Sequence, residues 1–516
     1  MDDNTIAFHA QRTPDKPAVI MGESGAALTY AELDAAANRG AHLLRQSGLQ
    51  PSDVVAMCLE NCPIFFQVAW AALKCGLALV PVSPRLTAKE MAFIVSDSGA
   101  KALMTSPTIT QAFAQLPSLL PEVLLFTIGA TESGYRSWSE EAAVLPSGPI
   151  KDEGLGSVML YSSGTTGRPK GIIHQTAPAD NGGGVLGSAM RTFTMWGLDS
   201  GMVYLSPAPL YHSAPFGWAM GTLRIGGTVV VMERFDPEAA LALIQRYEIN
   251  TAQWVPTHFV RLLKLPAKVR ASYNVSSLKL VVHAAAPCPV PVKRAMIEWW
   301  GPIIQEYYGS TEQTALTFIN SEEWLEHPGS VGRCRVGILH SCDDEGEPLP
   351  AGSVGQIYSE GGADFVYYND PEKTASSRNQ HGWTSVGDIG FLDAEGYLYL
   401  TDRKNFMIIS GGVNIYPQEI ENLLVTHPKI ADAAVIGTPD PDLGEQVTAI
   451  IQPLDMADAT PAFENAIRAW LRHELSGVKV PKRIEFRADL PRLPTGKLVK
   501  HLLREEYAKQ PTEFSA

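Results

Sequence analysis

Cysteine is scarce in this chain: six residues, at positions 58, 62, 75, 288, 334 and 342, are spread over 516. So few and so widely spaced thiols do not form the disulfide framework of a small secreted domain. Cys58 and Cys62 have a loose metal-like spacing, but no second pair with nearby histidines completes a zinc site. Buried free thiols are therefore the expected state.

The chain also lacks long apolar runs and an excess of positive charge. No stretch is apolar for the length of a bilayer, and the first four residues lack the basic flank and apolar run of a signal peptide. Lys and Arg number 41 against 55 Asp and Glu, a net charge of −14. We therefore expect a cytoplasmic protein with no nucleic-acid partner and no integral membrane segment, in which any anionic ligand is held by local donors.

What is present is the composition of a globular enzyme, 45% hydrophobic and 19% charged, in a chain too long for one core. Thr29-Tyr30-Ala31-Glu32 and Thr87-Ala88-Lys89-Glu90 are capping boxes that open two helices of the first half. Strands alternating with helices predict right-handed βαβ units and a largely parallel sheet. The strands expected in this series are 54–59, 77–82, 102–104, 123–128 and 158–161.

The pattern changes twice further along the chain. A second α/β stretch over 203–319 is followed by a part rich in Pro and Gly, 328–355, which predicts a small β-rich unit. The polar break at 402–405 predicts a domain boundary, and the last part reads as a compact βαβ arrangement. The elements expected there and in the second stretch are strands 203–205, 228–232, 280–282, 433–436, 447–451 and 484–486 and a helix over 461–475.

The segment most indicative of ligand binding is the run from Tyr161 to Gly171. It contains three glycines, four Ser or Thr hydroxyls and a lysine, and it follows an apolar strand. Such a loop offers backbone N–H groups and hydroxyls to a polyanion. It is not the P-loop of GTPases, because Arg168 and Pro169 separate Gly167 from Lys170 and no Ser or Thr follows the lysine. Pro169 has no N–H, so we expect the loop not to run straight into a helix. A solvated linker is the alternative.

Four further segments accompany this loop: Pro209-Leu210-Tyr211-His212-Ser213, Tyr307-Tyr308-Gly309-Ser310-Thr311-Glu312, Gly387-Asp388-Ile389-Gly390 and Pro494-Thr495-Gly496-Lys497. In this order and spacing the five resemble the adenylate-forming superfamily, which includes acyl-CoA synthetases, firefly-type luciferases and non-ribosomal adenylation domains. The resemblance covers nearly the whole chain. It implies that a carboxylate is joined to the α-phosphate of ATP, that pyrophosphate leaves, and that a thiol then attacks the acyl-adenylate.

The resemblance also implies a fold of the α/β class. We expect a large N-terminal domain, 1–402, made of two parallel-sheet αβαβα-like subdomains and a small β-barrel-like unit. A hinge at 403–405 and a small mobile α+β domain, 406–516, follow. The family's pivot position, usually Asp or Lys, falls on Asn405, and Asn tolerates unusual backbone angles.

Residue roles follow from the same resemblance. Glu312 is expected to bind Mg²⁺ with the Thr166 hydroxyl close by, Thr311 to lie beside the α-phosphate, and Tyr308 to lie against the adenine. Asp388 and Arg403 are expected to bind the ribose, although a capping or turn aspartate is the plain alternative for Asp388. The remaining ATP-binding residues implied are Ser162, Ser163, Gly164, Thr165, Thr166, Gly167, Lys170, Gly309 and Ser310.

The lysine of the adenylation step and the residues that admit CoA are both assigned by resemblance to the C-terminal domain. Lys497 is expected to bridge the carboxylate and the α-phosphate, and the Pro-Thr-Gly context selects it over Arg492, Lys500 and Lys482. Domain rotation would then remove Lys497 and admit CoA. The CoA-binding residues implied are Ser410, Gly411, Gly412 and Lys479, the last within a basic strip (479–504) for which a solvated charged face is an equal alternative.

The acid itself is only partly specified. The acyl pocket implied by resemblance contains Tyr211, Trp218, His283, Ala284, Ala285 and Ala286, with His212 contacting the carboxylate or gating CoA access; a core histidine is the alternative for His212. No Asp or Glu in these segments pairs with an α-ammonium, so we expect a hydrophobic acid: fatty, arylalkanoic or ring-bearing. The expected substrates are this acid, ATP and CoA, with Mg²⁺ as cofactor.

Several functions stay open at this point. A CoA ligase is favoured, a stand-alone enzyme that loads a carrier protein is the first alternative, and a luciferase-like oxidative enzyme is the second. A non-catalytic binding protein is a distant fourth. The number of copies in the assembly is open, with a homodimer among the expectations.

Overall fold

The computed structural model describes residues 4–109, 113–129, 134–162, 169–174, 184–492 and 498–508. Its helices, in chain order, are α1 Ile6–Arg12, α2 Tyr30–Gln46, α3 Pro63–Lys74, α4 Ala88–Asp97, α5 Leu116–Leu119, α6 Trp138–Ala143, α7 Gly184–Met195, α8 Ser213–Arg224, α9 Pro237–Tyr247, α10 Pro256–Leu263, α11 Ala267–Arg270, α12 Val290–Trp300, α13 Ser321–Glu326, α14 Pro371–Ser376, α15 Pro417–Leu424, α16 Pro461–Glu474 and α17 Lys500–Ala508.

The strands, in the same order, are β1 Pro17–Met21, β2 Ala27–Thr29, β3 Val54–Cys58, β4 Ala78–Pro81, β5 Ala102–Thr105, β6 Leu124–Thr127, β7 Arg136–Ser137, β8 Ser157–Val158, β9 Leu160–Ser162, β10 Lys170–His174, β11 Val203–Ser206, β12 Thr228–Val231, β13 Thr251–Trp254, β14 Leu280–His283, β15 Ile304–Gly309, β16 Leu316–Ile319, β17 Arg333–Val336, β18 Ile338–Cys342, β19 Gly355–Glu360, β20 Phe365–Tyr367, β21 Asp388–Leu392, β22 Leu398–Arg403, β23 Ile408–Ser410, β24 Val413–Ile415, β25 Ile430–Asp440, β26 Gly444–Pro453 and β27 Arg483–Phe486.

The chain divides into two compact units, and each is described by itself. The first comprises Met1–Gln253, Ser272–Val281 and Ala363–Ser376, and the second comprises Trp254–Ala271, Val282–Gly362 and Ser377–Ala516. Within the described ranges every helix is too short or too polar to cross a bilayer. The predicted division at 402–405 stays a prediction.

The first unit contains parallel sheets, as the alternation of strands and helices predicts. Six strands pair in the order β7-β6-β5-β3-β4-β8, and every pairing in this sheet is parallel. Both predicted capping boxes are confirmed: the Thr29 and Thr87 side chains accept from the backbone of Glu32 and Glu90, whose carboxylates bond back to the capping residues. The apolar face of α4 packs on the sheet, where Met91, Ile94 and Val95 belong to one core cluster with Leu103 and Leu125.

The prediction that residues 158–161 form one further parallel strand is wrong in part. Only β8 joins the parallel sheet, while β9 pairs antiparallel with β10, which also pairs with β20. Lys170 lies opposite Ser162 in this register, so the glycine- and hydroxyl-rich loop joins two strands of a hairpin. Antiparallel neighbours need only a short connection, which the intervening residues supply. The expectation that the loop does not lead into a helix is confirmed, since β10 begins at Lys170.

A second group of strands in this unit includes the N-terminal strand β1, which the sequence analysis did not predict. β12 pairs in parallel with β11 and with β1, and β1 carries β2 at its outer side in an antiparallel pair. The N-terminal strand thus joins strands of the 203–231 region, about 200 residues away in the chain.

The second unit is largely antiparallel. β15, β16 and β17 pair in that order, and β18, β19, β21 and β22 form the predicted small β-rich part, which extends as far as Arg403. The predicted strands 433–436 and 447–451 are the centres of a long antiparallel pair, β25 and β26. The predicted helix and the parallel return strand are present as α16 and β27, which pairs in parallel with β26.

Candidate active site

Asp388 lies at the centre of a buried polar cluster in the second unit. It opens β21, directly opposite Arg403 at the end of β22. The Arg403 Nε atom lies 3.1 Å from Asp388 Oδ1, and the Tyr308 hydroxyl donates a hydrogen bond of 2.6 Å to Asp388 Oδ2. Three residues that the sequence assigned to one nucleotide are therefore brought together, and Asp388 is not a helix cap.

The protonation states in this cluster follow from burial and charge. Burial raises the pKa of Tyr308 well above its ordinary value, and the charge of Asp388 raises it further. The charge of Asp388 likewise raises the pKa of Arg403. The phenol therefore stays neutral and the guanidinium charged at neutral pH. Each carboxylate oxygen of Asp388 still has a lone pair to accept from a ligand.

Glu312 lies a few residues beyond Tyr308 and is buried, with 8% of its surface exposed. It belongs to a turn in which the Gln313 N–H donates to the carbonyl of Ser310 at 3.1 Å. Its negative charge contributes to the raised pKa values of Tyr308 and Arg403. The Ser310 Oγ atom is buried and has no hydrogen-bond partner among the described residues. A buried carboxylate near an orphaned hydroxyl suits a hard cation and phosphate oxygens.

Most of the predicted phosphate loop, namely Ser163, Gly164, Thr165, Thr166 and Gly167, lies outside the described residues. At its near end Ser162 closes β9, and at its far end Lys170 opens β10.

Lys170 has partners that the sequence analysis did not predict. Its Nζ atom is 3.9 Å from Asp370 Oδ2 and 5.7 Å from the centre of the Tyr367 ring. Burial lowers the pKa of Lys170, and the nearby charge of Lys373 lowers it further. Asp370 follows β20, which pairs with β10, so only the sheet brings the two residues together.

Tyr211, His212 and Trp218 lie in the first unit. His212 caps the N-terminus of α8 through its backbone, and its ring centre is 4.2 Å from that of Tyr211. Burial raises the pKa of Tyr211 to about 12. Trp218 packs within an aromatic cluster of this unit, with ring-centre distances of 4.9, 5.4 and 5.7 Å to Phe193, Trp196 and Tyr204.

The segment from His283 to Ala286 lies in the second unit and changes from buried to exposed along its length. His283 ends β14 with none of its surface exposed, Ala284 is buried, and Ala285 and Ala286 are exposed. Ala285 has a φ angle of 76°, in the left-handed region that glycine adopts more readily. The His283 Nε2 atom lies 3.4 Å from the Glu306 carboxylate.

The residues assigned to the thiol step lie in the C-terminal part of the second unit. Gly411 and Gly412 have φ angles of 57° and 80° and form the two-residue turn that joins β23, ending at Ser410, to β24. Lys479 donates to Glu419 at 2.7 Å. Asn405 lies in a 3₁₀ turn, Lys404–Phe406, and its carbonyl accepts from Arg504 at 2.8 Å.

Lys497 lies outside the described residues. The flanking residues Arg492 and Leu498 face each other as an isolated antiparallel bridge, so the two ends of the intervening segment meet. The basic residues around it are each matched by a carboxylate: Arg492 with Asp432 at 2.6 Å, Lys500 with Glu421 at 2.9 Å and Lys482 with Asp440 at 4.0 Å.

Family models identify the class of protein that this fold and site define. A model described as AMP-binding enzyme matches residues 6–366, and one described as AMP-binding enzyme C-terminal domain matches residues 419–497. The chain therefore belongs to the AMP-binding enzyme family, and it is an adenylate-forming enzyme of the acid–thiol ligase class.

Particular relatives cover almost its whole length. Fatty acid–[acyl-carrier-protein] ligase ScoC of Streptomyces coeruleorubidus is 31% identical, over 98% of this chain and 96% of the relative. Feruloyl-CoA synthase of an Amycolatopsis species is 32% identical, over 96% of this chain and 97% of the relative. The structure of o-succinylbenzoate CoA synthetase (MenE) from Bacillus subtilis with its acyl-adenylate intermediate superposes with a TM-score of 0.80, at 26% identity, over 97% of this chain and 98% of that one.

Proposed function

We propose that the chain is an ATP-dependent carboxylic acid–CoA ligase that makes an acyl-adenylate, releases pyrophosphate and transfers the acyl group to the CoA thiol. The observation that carries this proposal is the Tyr308–Asp388–Arg403 cluster within a chain of the AMP-binding enzyme family. A carboxylate held between a neutral phenol and a guanidinium is a stable acceptor for a pair of ribose hydroxyls. Tyr308 would lie against the adenine, and Arg403 would add a donor on the ribose side.

The phosphates and a divalent cation would lie beyond Tyr308. The buried carboxylate of Glu312 would bind Mg²⁺. The buried Ser310 Oγ, which has no hydrogen-bond partner among the described residues, supports a phosphate oxygen in the same segment. Bound Mg²⁺ would neutralise charge that develops on the phosphates. On the protein side, Lys170, the Thr166 hydroxyl and the loop N–H groups would hold the leaving pyrophosphate, and Thr311 would lie beside the α-phosphate.

Lys497 is the residue we assign to the joining of carboxylate and α-phosphate. The structure of its neighbours supports this choice, because Arg492, Lys500 and Lys482 each hold a carboxylate of their own. A lysine that serves only the first step fits a two-step mechanism in which the C-terminal domain turns about Asn405. In the second step the Gly411–Gly412 turn would let the pantetheine thiol approach closely.

The acid we propose is hydrophobic and lacks an α-amino group. His212 and Tyr211 would lie near its carboxylate, and the small side chains of Ala284, Ala285 and Ala286 would leave room for its body. The residue types in these segments offer no carboxylate to an ammonium group.

A carrier protein is the second candidate for the acyl acceptor. It is favoured by the similarity to an acyl-carrier-protein ligase, at 31% identity over 98% of the chain. The first half-reaction would be the same in both cases, and only the source of the pantetheine thiol would differ.

A panel of acids tests both candidates. The chain is incubated with each acid, ATP and Mg²⁺, and pyrophosphate is measured; AMP release is then compared with no acceptor, with CoA and with a pantetheinylated carrier protein. We expect pyrophosphate with hydrophobic acids and faster AMP release with CoA. Acceleration by the carrier protein alone would select the second candidate. Absence of pyrophosphate with every acid would contradict the adenylation itself.

A further inference from the structure

A buried charge cluster in the second unit joins His283, which the sequence analysis placed in the acyl pocket, to two charged residues that have no role in the steps described above. It consists of His283 at the end of β14, Lys293 on α12 and Glu306 on β15. Lys293 Nζ and His283 Nε2 lie 2.6 and 3.4 Å from the same Glu306 oxygen, and the three side chains are at most 4% exposed. Lys293 also lies over the Trp324 ring, 4.9 Å from its centre.

Stability alone does not account for this cluster. Removing an ion pair from water costs about as much as the attraction returns, and apolar residues of similar volume often serve the folded state equally well or better. Burial and the charge of Lys293 lower the pKa of His283 well below its ordinary value, so its ring is neutral. Burial raises the pKa of Glu306, and the charge of Lys293 opposes that rise. With Lys293 Nζ at 2.6 Å from the carboxylate, the cluster is one ion pair with a neutral imidazole against it.

The position of the cluster in the fold suggests what it adds. Glu306 and Tyr308 are two residues apart on β15 and so lie on the same face of the strand. A slip of β15 by one residue would turn Glu306 to the opposite face of the strand, away from Lys293. The register that pairs Glu306 with Lys293 is thus the register that carries the Tyr308 hydroxyl to Asp388. His283 contacts the same carboxylate and immediately precedes Ala284, so it connects the cluster to the Ala284–Ala286 segment.

We infer that the buried charge cluster is a positioning device that fixes two substrate-binding segments at once, the Tyr308–Glu312 segment for the nucleotide and the Ala284–Ala286 segment for the acid. This inference rests on the proposed function. Lys293, Glu306 and His283 are positioning residues, because they act through these segments and not on the reacting atoms.

The test separates positioning from stability with paired variants of the full chain. Lys293→Met leaves a buried carboxylate without its partner, whereas the double variant Lys293→Met/Glu306→Leu replaces the pair with apolar side chains. Lys74→Met is the matched control: Lys74 is 5% exposed and lies 2.9 Å from both Asp34 and Glu153, none of which has a role in the proposed site. Thermal melting, kcat and the KM values for ATP and acid in pyrophosphate release are measured for each.

We expect Lys293→Met to lower Tm and the double variant to recover most of that loss. The double variant should nevertheless have a kcat at least tenfold below that of wild type or a KM for ATP at least tenfold above it. Lys74→Met should lower Tm with kcat and KM within twofold of wild type. A double variant with wild-type Tm, kcat and KM would overturn the inference. If the double variant gives no cooperative melt, Glu306→Gln takes its place, and the same tenfold change in kcat or in KM for ATP is required of it.

The same data distinguish failure of the inference from failure of the proposed function. If wild type releases no pyrophosphate with any acid, the proposed function fails. In that case the inference is still tested by calorimetric measurement of AMP binding to wild type and to the double variant. An unchanged affinity for AMP in the double variant would overturn the inference, and a tenfold weaker affinity would support it.

Discussion

At Asp388 one carboxylate holds a neutral phenol and a guanidinium at the same time, at 2.6 and 3.1 Å. A ligand that binds there must offer hydrogen-bond donors, as the hydroxyls of a ribose do. The sequence motifs identified Tyr308, Asp388 and Arg403 individually. Their contact was not predictable, because Tyr308 and Asp388 are 80 residues apart and only the packed sheets bring them together.

Replacing Asp388 by Asn keeps the shape of the side chain and removes its charge. We expect kcat/KM for ATP in pyrophosphate release to fall by roughly tenfold to a hundredfold, since a hydrogen bond to a charged group is worth about 1.5–3 kcal/mol. Asp344→Asn is the control: its side chain is 90% exposed and pairs with Lys404 at the surface, so kcat/KM should be unchanged. Equal ATP kinetics in wild type and Asp388→Asn would remove Asp388 from the nucleotide site.

Ala285 offers a test of backbone strain at a single residue. Its φ of 76° costs an L-residue about 1–2 kcal/mol, and glycine would relieve this while losing about 0.4–1 kcal/mol through greater freedom in the unfolded chain. We therefore expect Ala285→Gly to raise the free energy of unfolding by about 0 to 1.6 kcal/mol in urea denaturation. Ala284→Gly, at a buried position with ordinary φ, should lower it. Destabilisation of similar size in both variants would contradict the strain.

At the scale of elements, predictions from local sequence signals were correct, whereas the pairing of strands was not predicted correctly. The capping boxes at Thr29 and Thr87 were read correctly because each depends on four consecutive residues. The pairing of β1 with β12 and of β9 with β10 depends on sheet edges formed by distant parts of the chain. The Lys293–Glu306 pair was missed for a different reason: its members are only 13 residues apart, but they lie on a helix and the following strand, and no periodic pattern links them.

The hairpin turn between β23 and β24 has a proposed role in the approach of the pantetheine thiol, and this role can be tested separately from the backbone conformation of the turn. An added Cβ at Gly412 meets no atom within 4 Å, so Gly412→Ala acts through its φ of 80° and through crowding of an approaching thiol. We expect thioester formation from a supplied acyl-adenylate to slow by about tenfold, because a steric penalty near 1.4 kcal/mol gives that factor, while adenylation is unchanged. Gly396→Ala is the matched control, with a φ of 81° and equally open surroundings. Equal thioester rates in the two variants would exclude Gly412 from the thiol path.

At the scale of the whole molecule, the net charge of −14 coexists with a basic strip, 479–504, whose described residues are largely matched by carboxylates. The sequence showed the strip but not its partners, which lie elsewhere in the chain. The described charges of the strip are thus paired within the C-terminal part, and the role of Lys479 in CoA binding stays a prediction. The pH dependence of folding stability should instead be dominated by buried groups whose pKa differs between the folded and unfolded states.

His258 is the clearest of these, because burial lowers its pKa to about 3. In the unfolded chain the pKa is about 6.5, so below that pH the unfolded state binds a proton that the folded state refuses, and stability falls as pH falls from about 6.5 towards 3. Between pH 6.5 and 5 this amounts to about 2 kcal/mol of unfolding free energy. His258→Leu should flatten that loss in urea denaturation, whereas His473→Leu, whose side chain is 86% exposed, should not. An unchanged pH slope in His258→Leu would contradict the assignment.

The proposed rotation of the C-terminal domain makes one further claim about the whole molecule: Lys497 serves the first half-reaction and not the second. Lys497→Ala should lower pyrophosphate release by about a hundredfold or more, because a charge that bridges two converging anions acts mainly in the transition state. It should still convert a supplied acyl-adenylate and CoA to thioester at close to the wild-type rate. Lys482→Ala is the control, since its side chain is 55% exposed and 4.0 Å from Asp440, and both half-reactions should be unaffected. Equal loss of both half-reactions in Lys497→Ala would mean that one arrangement of the domains serves both steps, and the rotation would have to be abandoned.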